Sequence, residues 1–192
     1  MSRMIGLIVG VPGVGKTTVL NAAKKYLNRN FEVINFGDIL FEHLKKYYNL
    51  RNKDEIRKKV SYNIYYKAQI ETCKTLYDKY KDKDILIDTH FLVKTKFGFL
   101  PGLSKEMAKY LKPNFIVVII AEPHYILHRR LKDKTRQRDI ELAHLIKLHQ
   151  DLILNYSLNL AYDLHIPVIV IENQEGHIEK AGKELAEALN SL

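Results

Sequence analysis

Residues 5–18, IGLIVGVPGVGKTT, constrain the fold more than any other part of the sequence. The stretch opens with a nearly continuous aliphatic run, which is typical of a strand buried on both faces of a parallel sheet. Glycines then recur at Gly10, Gly13 and Gly15, and glycine lets the backbone turn at positive φ. The residues after Gly15 predict a helix. The stretch therefore predicts a strand, a glycine-rich turn and a helix in direct succession.

Short apolar runs alternate with helical patterns along the rest of the chain. The predicted strands lie at 4–10, 31–36, 84–90, 115–121 and 167–172. The predicted helices lie at 15–29, 38–50, 54–80, 104–111, 122–134, 137–164 and 176–191. This alternation predicts an α/β fold with a five-stranded parallel sheet and helices on both of its faces. The stretch 89–103 is predicted to be an irregular loop, and loops of that length are usually functional.

The composition is typical of one globular domain spanning residues 1–192, because 46% of the residues are hydrophobic and 28% are charged. No apolar run is long enough to cross a bilayer. The N-terminal run continues into a glycine turn instead of a signal-peptide cleavage site. The single cysteine, Cys73, excludes an intramolecular disulfide and a multi-cysteine zinc site. We therefore expect a cytoplasmic protein that is not bound to a membrane.

Much of the formal net charge of +9 lies in two basic clusters, at 45–59 and 128–139. A general basic surface would favour nucleic acid or an anionic membrane as the partner. Two clusters flanking one site would instead favour a ligand with several phosphate groups. Composition alone does not decide between these partners.

The turn at 10–17 matches the pattern G-x-x-x-x-G-K-[ST], with a strand before it and a helix after it. In such a P-loop, successive backbone N–H groups and the helix N-terminus face phosphate oxygens. Lys16 would bind the β- and γ-phosphates of ATP, and the Thr17 hydroxyl would bind Mg²⁺. The predicted ATP-binding residues are Gly10, Val11, Pro12, Gly13, Val14, Gly15, Lys16, Thr17 and Thr18. The alternative is a structural turn with an incidental lysine.

A carboxylate is predicted near this loop. Asp88 stands near the end of the third buried run, ILIDTH, and the carboxyl ends of parallel strands are where α/β sheets present their ligands. Asp88 would hold Mg²⁺ together with Thr17, directly or through water. The alternative is that Asp88 only caps the loop that follows. The motif and this carboxylate together predict a P-loop NTPase fold.

Several longer sequence motifs, including the P-loop, are spread along the chain. They are GVPGVGKTT at 10–18, INFGDILFE at 34–42, KDEIRK at 53–58, DTHFLVKTKFGFLPGL at 88–103, RRLKDKTRQRD at 129–139 and HQ at 149–150. In these motifs the chain resembles the archaeal adenylate kinases, a family of nucleoside monophosphate kinases. The resemblance implies Mg²⁺-dependent phosphoryl transfer from ATP to AMP, giving two ADP, by a homotrimer.

The resemblance also implies two further segments of the site and their residues. An acceptor segment at about 35–70 would bind AMP, and a short lid at about 129–140 would close over the phosphates. The implied AMP-binding residues are Gly37, Asp38, Phe41, Arg57 and Lys94. The implied catalytic residues are Lys16, Arg130, Arg136 and Arg138. Lys147 and His149 stand where many relatives have a further arginine.

Several alternatives stay open at this point. Arg57 could lie on the solvated face of a helix capped by Asp54. Because neighbouring residues on a helix diverge, one of Arg129 and Arg130 is expected to face solvent, and we favour Arg130 as the donor-site residue. The acceptor could be CMP or UMP instead of AMP. An adenylate-kinase-like ATPase acting on RNA or ribosome assembly is a further alternative, but nucleic acid is the weaker prediction because the charge clusters where two nucleotides would bind.

Overall fold

The computed structural model describes residues 3–95, 98–132 and 142–192, apart from the side chains of residues 54, 57 and 58. In chain order its strands are β1 (Ile5–Val9), β2 (Glu32–Asn35), β3 (Ile85–Asp88), β4 (Leu92–Thr95), β5 (Gly98–Pro101), β6 (Phe115–Ile120) and β7 (Val168–Glu172). Five of them form a parallel sheet in the order β2-β3-β1-β6-β7. The predicted α/β fold is confirmed.

The helices are α1 (Lys16–Ala23), α2 (Phe36–Lys45), α3 (Ile56–Lys59), α4 (Tyr62–Lys79), α5 (Lys105–Leu111), α6 (Pro123–Lys132), α7 (Ala143–Leu164) and α8 (Ile178–Asn190). Helix α1 packs against α8, α4 packs against α2 and α5, and α7 packs against α6 and β6. In the interior strand β6 no residue from Phe115 to Ile119 is more than 1% exposed. Successive side chains of a strand point to opposite faces, so the sheet is covered on both faces.

The strand register places the C-terminal ends of β1, β2 and β3 at one edge of the sheet. Asp88, the last residue of β3, pairs with Ile8 of β1 on one side and with Asn35 of β2 on the other. Strand β1 ends one residue later, at Val9, directly before Gly10. The glycine turn, Asn35 and Asp88 therefore meet at the carboxyl edge of the sheet, where α/β proteins bind ligands.

Two predicted elements differ from those found. The stretch 89–103 contains an antiparallel hairpin of β4 and β5 instead of an irregular loop, with Lys94 opposite Phe99. The predicted helix at 54–80 is interrupted, because Val60 and Ser61 are extended between α3 and α4. A β-branched residue followed by serine favours this break, since serine prefers the N-cap position to the helix interior.

The predicted ends of the other helices shift by a few residues. Helix α2 begins at Phe36 and not at residue 38, because the Asn35 side chain accepts a hydrogen bond from Asp38 N at 3.1 Å and so caps the helix. Helix α1 ends at Ala23 and continues as a 3-10 turn to Tyr26. Within the described ranges, no helix is both long enough and apolar enough to span a membrane.

Candidate functional site

The turn after β1 is built by glycine geometry. Gly10, Gly13 and Gly15 have φ values of 155°, 85° and 95°, which L side chains rarely adopt. Val11 and Val14 are fully buried and fix the turn to the core. Helix α1 begins at Lys16 without a side-chain cap. Its first N–H groups have no partner within the helix, so this end of α1 can bind an anion.

Lys16 and Asp88 face each other across the carboxyl edge of the sheet. Only 9% of the Lys16 side chain is exposed, and its Nζ lies 3.3 Å from Gly10 O and 3.5 Å from Asp88 Oδ1. Asn35 Nδ2 donates to Asp88 Oδ2 at 3.5 Å. Thr17, the next residue of α1, is exposed. The site thus offers one cation, one carboxylate and one hydroxyl, and the two oxygen ligands are the type that Mg²⁺ prefers.

Arg129 and Arg130 of α6 both bind the backbone of the glycine turn. Arg129 Nη1 donates to Val14 O at 3.1 Å, and Arg130 Nε donates to Pro12 O at 2.8 Å. Arg129 also forms an ion pair with Glu175 at 2.7 Å, which lowers the pKa of that carboxyl group. The expectation that one of the two arginines faces solvent is wrong. Both can reach inward because α6 lies across the turn and their long side chains extend around it.

The side chain of Asn173 also binds the glycine turn, although it is not among the site residues named from the sequence. Its side chain is 3% exposed, and Nδ2 donates to Val14 O at 2.7 Å. Its backbone N–H bonds to Ile120 O at 2.8 Å, so it extends the pairing of β6 with β7. Asn173 O accepts a bond from Arg129 Nη2 at 3.3 Å. The available signal was its place directly after the last predicted strand, in the loop ENQEGH at 172–177, whose backbone the family resemblance implies beside the donor adenine.

The predicted acceptor residues belong to three different elements. Gly37, Asp38 and Phe41 lie in the first turns of α2, where Asp38 forms an ion pair with Lys53. Lys94 lies on β4 and is half-buried. Arg57 lies in α3, but its side chain is outside the described part. Arg136 and Arg138 also lie outside the described residues, so the roles of all three arginines stay predictions.

Lys147 and His149 point in different directions from α7. Lys147 is 67% exposed and forms an ion pair with Asp151 at 2.7 Å. His149 is 2% exposed, and its Nε2 lies 3.2 Å from Leu92 O of the hairpin. Cys73 is buried in the core, which raises the pKa of its thiol to about 12. A buried thiol with a raised pKa is a poor nucleophile, so Cys73 takes no part in the site.

Comparison with known proteins finds one matching family model and several similar proteins, of which three are described. Residues 9–147 match the family model described as the AAA domain. The adenylate kinase of Pyrococcus furiosus is 40% identical over 97% of this chain and 91% of that protein. The adenylate kinase of Pyrococcus abyssi is 41% identical over 96% of this chain and 94% of that protein. That of Methanocaldococcus jannaschii is 36% identical over 98% of this chain and 100% of that protein.

Solved structures agree on the fold. A shikimate kinase from Acinetobacter baumannii, in complex with shikimate, superposes with a TM-score of 0.61 at 16% identity. The match covers 98% of this chain and 94% of that chain. At this identity the likeness concerns the fold alone.

Proposed function

Since this chain belongs to the adenylate kinase family, with its P-loop core in the AAA domain family, we propose that it is an ATP:AMP phosphotransferase. The reaction is the reversible transfer of the γ-phosphoryl group of ATP to the phosphate of AMP, giving two ADP. One observation supports this proposal above the others. The sheet register joins the glycine turn, Asp88 and the start of α2 at one edge, so a donor and an acceptor can bind side by side.

The donor half of the site would hold ATP. The N–H groups of the turn and of the first residues of α1 would bind its phosphate oxygens. Lys16 would leave Gly10 O and Asp88, which are both more than 3 Å away, for the β- and γ-phosphates. Arg129 and Arg130 would keep the turn in shape through the carbonyls of Val14 and Pro12, and Arg130 would also act as a catalytic residue by supplying positive charge to the donor phosphates. Preorganised donors of this kind lower the barrier because they need no rearrangement during transfer.

Thr17 and Asp88 would hold Mg²⁺. A hydroxyl and a carboxylate are hard oxygen ligands, and a magnesium ion usually keeps several waters beside one or two protein ligands. Bound there, the ion would supply positive charge to the β- and γ-phosphate oxygens. Asn35 would orient the carboxylate, since its Nδ2 donates to Asp88 Oδ2.

The acceptor half would hold AMP between α2 and the hairpin. We assign the base and ribose side to Gly37, Asp38 and Phe41, and the phosphate to Lys94 and Arg57. The AMP phosphate is already mostly ionised at neutral pH, because its second pKa is about 6. The nucleophilic oxygen therefore needs no general base.

The lid arginines, Arg136 and Arg138, would complete the site. Phosphoryl transfer spreads negative charge over the oxygens between the two nucleotides, and an added arginine accelerates such reactions by about 10³- to 10⁵-fold. Closure would also exclude water, which favours transfer over hydrolysis of ATP. We accordingly propose one domain with an acceptor segment at about 35–70 and a lid at about 129–140.

The test is a coupled assay for ADP with purified protein, ATP, AMP and Mg²⁺. We expect turnover by the wild type and almost none by Lys16→Ala, while Lys24→Ala, an exposed lysine at the other end of α1, retains full activity. Arg138→Ala is expected to reduce kcat far more than affinity. If the wild type makes no ADP while Lys16→Ala binds ATP as tightly as the wild type does, the proposal is wrong.

The acceptor and the assembly have their own tests. With AMP, CMP and UMP as acceptors, we expect the highest kcat/KM for AMP; a higher value for CMP or UMP would reassign the substrate. RNA binding is expected to be no tighter than binding of other polyanions at any salt concentration. By family, we propose a homotrimer, which sedimentation would show, and a cytoplasmic location.

A further inference from the structure

Two adjacent residues of α7, His149 and Gln150, contact two different parts of the site. Their side chains are 2% and 8% exposed. Successive residues of a helix point about 100° apart, so one turn of α7 can reach two neighbours at once. The neighbours are the hairpin of β4 and β5 and the junction between β6 and α6.

Gln150 binds both backbone groups of Ala121. Its Oε1 accepts from Ala121 N at 3.0 Å, and its Nε2 donates to Ala121 O at 2.9 Å. Ala121 directly follows β6 and stands two residues before α6. This pair of bonds fixes the direction in which the chain leaves the sheet. Because α6 carries Arg129 and Arg130 to the glycine turn, Gln150 sets where those arginines lie.

His149 contacts both strands of the hairpin. Its Nε2 lies 3.2 Å from Leu92 O of β4, and since a carbonyl can only accept, this nitrogen carries the hydrogen. Its ring centre lies 4.8 Å from that of Phe99 of β5. Lys94 stands two residues beyond Leu92 and pairs directly with Phe99. His149 therefore holds the strand that carries Lys94.

Two further contacts hold the segment that directly follows β5. Gln69 of α4 donates to Gly102 O at 3.3 Å, just beyond β5. Tyr156, two turns along α7 from His149, donates to Leu103 O at 3.2 Å. The segment after β5 thus links α4, which is part of the acceptor segment, to α7. Of these contacts from α7, the one between His149 and Leu92 lies nearest to Lys94, because Leu92 is only two residues from it.

We propose that His149 and Gln150 are positioning residues for the two nucleotides, with His149 acting on AMP through Lys94 and Gln150 acting on ATP through α6. This inference rests on the proposed function. It assigns to α7 the task of setting the distance between the two half-sites, because one rigid helical turn holds both. Changing His149 should therefore raise KM for AMP alone, and changing Gln150 should raise KM for ATP alone. A general loss of stability would not separate the two KM values in this way.

The experiment compares KM for each substrate at saturating concentration of the other. His149→Phe keeps a ring beside Phe99 but removes the donor to Leu92 O, and should raise KM for AMP about tenfold with little change for ATP. Gln150→Met keeps the volume but removes both bonds to Ala121, and should raise KM for ATP about tenfold with little change for AMP. Leu148→Gln, an exposed position beside both, is the control and should change neither value.

Conservative variants separate positioning from packing. The amide of His149→Gln can still donate to Leu92 O, so we expect KM for AMP to return to within about threefold of the wild-type value. Gln150→Glu keeps the volume and the acceptor for Ala121 N but sets a buried carboxylate against Ala121 O, so KM for ATP should rise at least as far as in Gln150→Met. Should His149→Phe or Gln150→Met fail to fold, His149→Ala and Gln150→Ala carry the same comparison.

Three results would overturn the inference. They are equal rises of both KM values in either variant, the opposite assignment of substrates, or no change in either KM in a folded variant. Failure of the proposed function looks different, because the wild type itself would then make no ADP from ATP and AMP.

Discussion

Gly15 stands where backbone geometry and a neighbouring side chain both exclude a Cβ. Its φ is 95° and its ψ is 26° at the residue before α1. A Cβ built there would lie well inside the contact distance of Asn173 Nδ2, the atom that donates to Val14 O at 2.7 Å. Gly15→Ala must therefore strain the backbone and displace Asn173 together.

The two costs can be estimated separately. A left-handed backbone at an L residue costs about 1–2 kcal/mol. Breaking the bond between Asn173 and Val14 leaves a buried donor unsatisfied, at about 1–3 kcal/mol. The lower half of that range applies, because Val14 O keeps its bond from Arg129 Nη1 at 3.1 Å. We expect Gly15→Ala to lower the free energy of unfolding by about 2–4 kcal/mol in total.

A double-mutant cycle measured by urea denaturation tests whether the loss consists of a backbone cost and the cost of the broken bond between Asn173 and Val14. Asn173→Ala alone should cost about 1–2 kcal/mol, and the double mutant should be about as stable as Gly15→Ala, because the Asn173 bond is lost only once. Gly176→Ala is the matched control, with φ of 75° and no atom within 4 Å of its Cβ position. Gly176→Ala should lower the free energy of unfolding only by the cost of the left-handed backbone. Its loss and that of Asn173→Ala should therefore add in the double mutant. Additive losses for Gly15→Ala and Asn173→Ala would refute the reasoning.

Three further predictions follow from single side chains. Asp88→Asn should need more Mg²⁺ for half-maximal activity, which a Mg²⁺ titration at fixed ATP would show; an unchanged requirement would argue against Asp88 as a metal ligand. Arg129 lowers the pKa of Glu175, so this pair stabilises the folded state above the usual carboxyl pKa and stops doing so as the pH falls through the lowered value. The stability difference between the wild type and Glu175→Gln should therefore shrink on acidification, as urea titrations at several pH values would detect. Burial raises the pKa of Cys73 from 9.0 to about 12, so stability should fall as the pH rises above the unfolded value, and Cys73→Val should lack that loss. The folded thiol should also resist Ellman's reagent until urea is added, and rapid reaction without urea would contradict its burial.

The sequence by itself determined the parallel sheet and the P-loop. Both depend on local order: short β-branched runs such as 115–120 favour buried strands, and Gly10, Gly13 and Gly15 specify a turn whose backbone few other residues can adopt. The position of Asp88 followed as well, because the end of a buried strand in a parallel sheet lies at the ligand edge. The longer motifs identified the family, which the relatives then confirmed.

Only the tertiary structure decided which side chains hold the P-loop and the hairpin. Asn173 and Arg129 meet at Val14 O from positions 159 and 115 residues away, and Gln150 reaches Ala121 across 29 residues. Such contacts leave no periodic or local pattern, because a single asparagine or glutamine looks the same in the sequence whether it is buried or solvated. The hairpin was missed for a related reason, since its strands have only four residues each and are held by α4 and α7. Chain segments that are too short to be stable alone take their structure from what packs on them.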